Sequence, residues 1–92
     1  MEYEWDERKA RQNIAKHGVP FAYAVRVFMD PRRLDAEDDR RDYGEERRFT
    51  LGRIEERLYV VAYTVRGKMI RLISARKANP RERRNYIETL PA

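Results

Sequence analysis

Residues 68–84 read KMIRLISARKANPRERR, and the rest of the chain is organised around how this stretch is interpreted. From Lys68 to Ala75 the side chains alternate with the period of a strand. Ile70, Leu72 and Ser74 fall on one face, and Met69, Arg71, Ile73 and Ala75 on the other. Asn79-Pro80-Arg81-Glu82 then reads as N-cap, first-turn proline and capping-box acid, opening a helix that runs to Leu90. Immediately upstream, Arg57 to Val65 (RLYVVAYTV) is apolar on both faces, as a central strand should be. Arg66-Gly67 turns the chain between these two strands. Arg47 to Arg53 forms another strand, joined to Arg57 by a hairpin turn at IEE.

Working further out, residues 32–48 (RRLDAEDDRRDYGEERR) are almost all charged and read as a solvated loop or an edge hairpin. Before them, Pro20 sits in the first turn of a helix whose Phe21, Ala24, Val25 and Phe28 follow the i, i+3, i+4, i+7 template, and Asp30-Pro31 ends it. An earlier helix starts at the N-cap Asp6, carries Ala10 and Ile14 at i, i+4, and stops at Gly18. Glu2 to Trp5 alternates charged and aromatic residues, a short strand. Two helices across a glycine turn invite a DNA-reading helix-turn-helix. The second helix, however, is core-forming and offers few polar side chains to base edges, so that reading is set aside. The expected fold is α+β and a single domain over residues 1–92. Three or four antiparallel strands are covered on one face by the two N-terminal helices and followed by a C-terminal helix. The opposite sheet face is left open, and the arginines would lie on it.

Composition limits what such a domain can do. Ninety-two residues leave no room for a second core. The absence of cysteine excludes disulfides and thiolate chemistry, and one histidine argues against a zinc site. No apolar run approaches a membrane span, and MEYEWDERK lacks the pattern of a signal peptide, so the expected address is the cytoplasm. Residues 57–92 hold nine Lys/Arg against two Asp/Glu, whereas residues 1–31 hold five of each and residues 32–56 hold seven against nine. The whole positive excess therefore lies in the C-terminal third, and 17 of the 21 basic residues are arginine. Arginine's planar fork suits phosphate and carboxylate alike, so RNA and an acidic protein are both candidate partners.

Several stretches together resemble the BrnT toxins: EWDERKARQNIAKHGVPFAYAVRVF, GEERRFTLG, VVAYTVRG and RLISARKANPRERRNY. The resemblance covers nearly the whole chain in order and spacing. Arg48 departs from it, standing where an apolar residue is common, which leaves the start of that strand more exposed. The resemblance implies a fold similar to the RelE/ParE superfamily and a ribonuclease toxin that blocks translation. It also implies a BrnA-like antitoxin encoded alongside, whose ribbon-helix-helix part binds operator DNA so that the complex represses its own operon. The toxin itself would touch DNA only through that antitoxin.

A ribonuclease working without cofactor or metal needs a base for the 2′-OH, cations for the pentacovalent phosphate and an acid for the leaving 5′-oxygen. His17 is the one side chain that normally titrates near neutrality; equally, it ends a helix whose dipole an imidazolium complements. Glu46, in the E-R pair that the resemblance marks, is the alternative base or else a salt-bridge partner. Arg76 matches the family's C-terminal arginine and would clamp the scissile phosphate; its rival role is a structural ion pair. Arg66 completes the expected catalytic set. Lys77 is expected to bind RNA phosphate, Arg71 either lines the open face and holds RNA or is an ordinary solvated strand arginine, and Arg81, Arg83 and Arg84 are expected to hold RNA or antitoxin electrostatically. Tyr86 and Tyr63 either stack on a base or are core tyrosines with a wet hydroxyl, and Trp5 is expected in the core. The guanidinium groups near the last strand–helix junction are expected to converge on one cationic pocket. A non-catalytic co-repressor module that binds antitoxin or nucleic acid shares the basic face with the toxin reading, and a third reading is a structural protein whose arginines confer solubility.

Overall fold

The computed structural model describes residues 2–40, 42 and 44–91. In chain order they form β1 (Glu2–Glu4), α1 (Glu7–His17), α2 (Phe21–Ala24), a 3₁₀ helix (Val25–Met29), β2 (Leu34–Asp38), β3 (Arg47–Ile54), β4 (Arg57–Arg66), β5 (Met69–Lys77) and α3 (Pro80–Thr89). Arg41 and Tyr43, within the charged stretch, lie outside the described residues.

The caps act as their chemistry requires. Asp6 Oδ1 accepts from the backbone N–H of Arg8 at 2.8 Å and of Lys9 at 3.3 Å, and Gly18 takes φ 72° while its N–H returns to the Ile14 carbonyl. Asn79 and Glu82 form the reciprocal capping box that opens α3, each side chain 2.8 Å from the other residue's backbone N–H. The second helix is shorter than its periodicity predicts. Pro20 is its N-cap, and one α turn tightens into the 3₁₀ segment, which places Phe21, Ala24 and Val27 in the core and leaves Val25 and Phe28 half-buried. In α1 the inward position after Ala10 belongs to Asn13; Ile14 is 48% exposed.

The sheet has five strands in the order β1-β5-β4-β3-β2 and is mixed, which corrects the expectation of three or four antiparallel strands. Glu2–Glu4 pairs parallel with Met69–Arg71 at one edge, and everything between them in sequence supplies the crossover that parallel pairing needs. At the other edge Leu34–Asp38, inside the stretch read as loop or edge hairpin, pairs antiparallel with Arg47–Leu51. The turn between β4 and β5 is Gly67-Lys68, one residue later than predicted, with φ 60° at Gly67.

The strict alternation expected along β5 breaks. Ala62 pairs with Ser74 but Tyr63 pairs with Leu72, so Ile73 is an extra residue, a β-bulge. Ile70, Leu72 and, past the bulge, Ala75 all face the main core with Val61, Tyr63, Phe21 and Val27, beneath α1, α2 and the 3₁₀ helix. Arg71, Ser74 and Arg76 therefore share the opposite face. Without the bulge, Arg76 would point into that core. Gly52 on β3 lets the 3₁₀ helix approach closely, since a Cβ there would stand 3.0 Å from the Val27 carbonyl oxygen. On the other face a smaller core of Leu51, Leu58, Val60, Ala78 and Tyr86 anchors α3 over one end of the sheet, so that face is only partly open.

Candidate active site and cationic groove

The bulge and the capping box together set the first candidate site. Arg76 leaves β5 toward α3, and its Nη1 and Nη2 donate to Glu82 Oε1 and Oε2 at 2.8 and 2.9 Å, a bidentate fork. The carboxylate holds the guanidinium in its charged form, and Arg76 in turn depresses the Glu82 carboxyl below its ordinary range. This pair stands in the wall of a cavity of about 320 Å³ between α3 and the β2–β3 edge, with Arg40, Phe49 and Asn85 also lining it. Arg40 lies against the Phe49 ring, 4.8 Å from its centroid, and Asp38 accepts from its Nε at 2.8 Å.

The other sequence-predicted arginines do share this sheet face, yet they do not form a bare cationic pocket. Arg66 Nη2 donates to Glu45 at 3.1 Å, and Arg71 Nη1 to Glu4 on β1. With Arg76 on Glu82, each guanidinium has its own carboxylate, which corrects the expected convergence of free cations. Glu46 and Arg66 line one shallow cavity at the far end of β3 and β4. Glu46 accepts from Arg48 Nη1 at 2.9 Å, the salt-bridge alternative for that residue. His17 ends α1, on the side of the sheet away from Arg76. Among the described residues no hydrogen bond or ion pair joins it to another side chain.

Arg48 also donates to Asp35 Oδ1 at 2.6 Å, while Arg33 and the Tyr63 hydroxyl both donate to Asp35 Oδ2. Burial, then that hydrogen bond, pushes the Tyr63 phenol up to about 12. Asp35 thus ties β2 to β3 and β4, which explains how a strand composed of LDAED is held at the edge. Nothing local in the sequence signals this, since its partners lie 13 and 28 residues away.

Four cations without an ion pair gather elsewhere. A groove of about 490 Å³ runs between the β3–β4 hairpin and α3. Arg53, Arg57, Lys77 and Arg83 line it, and among the described residues none of the four makes an ion pair. Glu56 is the one carboxylate in its lining, and Leu58, Ile87 and Leu90 give it an apolar floor. Tyr86 also borders it, but the residue is only 3% exposed and its hydroxyl donates to Asp30 at 2.6 Å. Burial first, then Asp30, pushes that phenol up to about 12. The stacking role expected of Tyr86 therefore has no exposed ring to carry it, and Tyr63 and Trp5 are likewise packed on the core. Arg81 is exposed on α3. Sequence reasoning missed Arg53 and Arg57, whose place beside α3 depends on the hairpin's register, and the second role of Glu82, which its capping signature masks.

No cluster of three or more His, Cys, Asp or Glu side chains able to hold a metal occurs among the described residues, and no helix there is long and apolar enough to cross a membrane. An α+β sheet whose arginine-lined hollows flank its C-terminal helix defines a small basic protein built to engage anionic partners. Residues 5–82 match the family model for the ribonuclease toxin BrnT of type II toxin-antitoxin systems, and the chain belongs to that family. Membership makes it a ribonuclease toxin with a protein antitoxin as partner. A comparison with curated proteins gave no match.

Proposed function

We propose that the chain cuts RNA, without a metal, in the hollow between α3 and the β2–β3 edge. The observation that carries this is the Arg76–Glu82 fork in the wall of that hollow, with Arg40 as a second cation. An entering phosphodiester competes with Glu82 for the Arg76 fork. Its arrival leaves a guanidinium on the phosphate and a freed carboxylate beside it. Glu82 then takes the 2′-OH proton as that oxygen attacks phosphorus. The bond to the 5′-oxygen breaks, the leaving oxygen is protonated from solvent or from Glu82, and the products are a 2′,3′-cyclic phosphate and a 5′-hydroxyl. Arg66 and Arg71, on the same sheet face, exchange their carboxylates for flanking phosphates in the same way. His17 and Glu46 take no part in this version of the chemistry.

The test is cleavage of a labelled RNA by purified protein. Arg76→Ala should lower the rate by about 10²–10³. Glu82→Gln preserves the capping box while removing the base, and should show a similar loss. His17→Ala should leave cleavage near the wild-type rate. Wild-type rates in both Arg76 and Glu82 variants would overturn the site assignment. Wild-type protein that neither cuts RNA nor slows growth without its antitoxin would overturn the enzyme reading.

The ion-paired state of Arg66, Arg71 and Arg76 favours a second reading, a non-catalytic co-repressor module, which predicts antitoxin binding with no cleavage at all. In either case the proposed partner is a BrnA-like ribbon-helix-helix antitoxin, through which alone the complex contacts operator DNA and represses its operon, and the proposed place of action is the cytoplasm. The proposed fold kinship is RelE-like.

A further inference from the structure

The groove between the β3–β4 hairpin and α3 is distinct from the cleavage hollow, and its chemistry is different. We infer that it receives an acidic amphipathic segment of the protein antitoxin. This rests on the toxin reading above, which supplies the partner, but not on which residues cut RNA.

Charge complementarity is the first argument. Arg53, Arg57, Lys77 and Arg83 stand around the groove without an ion pair, against the single carboxylate of Glu56. Two of them are already oriented: Arg53 Nε donates to the Glu55 carbonyl at 2.9 Å and Arg83 Nη1 to the Ala78 carbonyl at 3.0 Å. Such tethers fix the guanidinium planes and leave their remaining N–H groups for an incoming carboxylate, at reduced entropic cost. The floor is the second argument, and it decides between peptide and RNA. Ile87 is 61% exposed beside Leu58 and Leu90, an apolar surface that a phosphodiester backbone cannot use. A groove built for single-stranded nucleic acid commonly adds an open aromatic face for the bases, and Tyr86 does not offer one. Cations around an exposed aliphatic patch fit a segment with acids flanking apolar anchors, the groove-docking mode of amphipathic peptides.

Position gives the docked segment a consequence. Helix α3 turns Arg83 and Ile87, with Leu90 just past its end, toward this groove and Glu82 and Asn85 toward the cleavage hollow. A segment seated here lies against the helix that carries the Arg76 partner without entering the hollow itself.

The experiment measures calorimetric affinity of the chain for the purified product of the adjacent antitoxin reading frame, and for a short 2′-O-methyl RNA that cannot be cleaved. Arg57→Glu and Ile87→Asp are the variants; both positions are exposed, and thermal melts confirm that each folds. Each should weaken antitoxin binding by about tenfold or more, with cleavage by the free chain and RNA affinity within about twofold of wild type. The Arg57→Glu loss should shrink at high salt and the Ile87→Asp loss should persist. Antitoxin affinity unchanged in both variants overturns the inference. RNA affinity falling while antitoxin affinity holds overturns it in favour of an RNA groove. If the wild-type chain cuts no RNA, the enzyme reading falls, while the antitoxin affinities still decide the groove.

Discussion

Replacing Asn13 with alanine should be among the most damaging single changes to this fold. Asn13 is 6% exposed, and its Nδ2 donates to the Val19 carbonyl at 2.9 Å and the Ala75 carbonyl at 2.8 Å. Its Oδ1 accepts from the Ala75 N–H at 3.0 Å. Because β1 pairs only with Met69–Arg71, the outer edge of β5 has no neighbouring strand at Ala75, and the Asn13 amide takes the place of one. Alanine removes all three bonds and strands one N–H and two carbonyls away from water. At about 1 kcal/mol per lost bond, with a further desolvation penalty for the orphaned groups, the loss comes to about 3–5 kcal/mol. That is a large fraction of the ~5–15 kcal/mol by which domains are stable, and at ~4–8 °C per kcal/mol it lowers Tm by roughly 15 °C or more. Urea denaturation should show a lower midpoint with an unchanged slope. A measured loss below about 1 kcal/mol would refute the idea that this amide substitutes for a strand.

Gly52→Ala should destabilise by about 1–3 kcal/mol, because the new Cβ would press on the backbone and Cβ of Val27, 3.0 and 3.1 Å away; chemical denaturation reads it directly. Tyr86→Phe should cost about 1–2 kcal/mol by depriving Asp30 of its hydroxyl donor, and filter binding should find RNA affinity unchanged. For Glu82→Gln the pH dependence carries the sign. Arg76 holds the Glu82 carboxyl below its ordinary value of 4.5, so the stability it contributes is complete above that value and drains away as acid titrates the folded carboxyl. The variant should therefore be less stable than wild type at neutral pH, with the gap closing in urea melts below that value.

What could be read from sequence was what local chemistry determines. Asp6 and Gly18 bracket α1, Asn79, Pro80 and Glu82 open α3, and an apolar RLYVVAYTV run is a buried strand wherever it sits. Harder to read was what only distant partners decide. LDAED has no strand former beyond Leu34 and is held as β2 by the bonds of Asp35 to Arg48 and Tyr63. Three alternating residues at Glu2–Glu4 do not say which strand they join or in which direction. The arginines were visible but not their carboxylate partners, since Arg71 meets Glu4 and Arg66 meets Glu45 only after the sheet assembles. At the candidate site, Arg76 was legible as a residue; its fork to Glu82 was hidden behind a capping motif that explains Glu82 by itself.

The extra residue at Ile73 makes β5 a parity device. Straightening the strand with Ile73 kept in the ladder would turn every later side chain to the other side, so that Arg76 is swallowed by the interior and Ala75 is expelled from it, whereas deleting Ile73 would leave a regular ladder with both facing as they do now. Pairing, rather than chain length alone, thus decides which way the packing and the chemistry face beyond the bulge. Transplanted into another sheet, the β5–α3 unit would bring its own correction of phase with it.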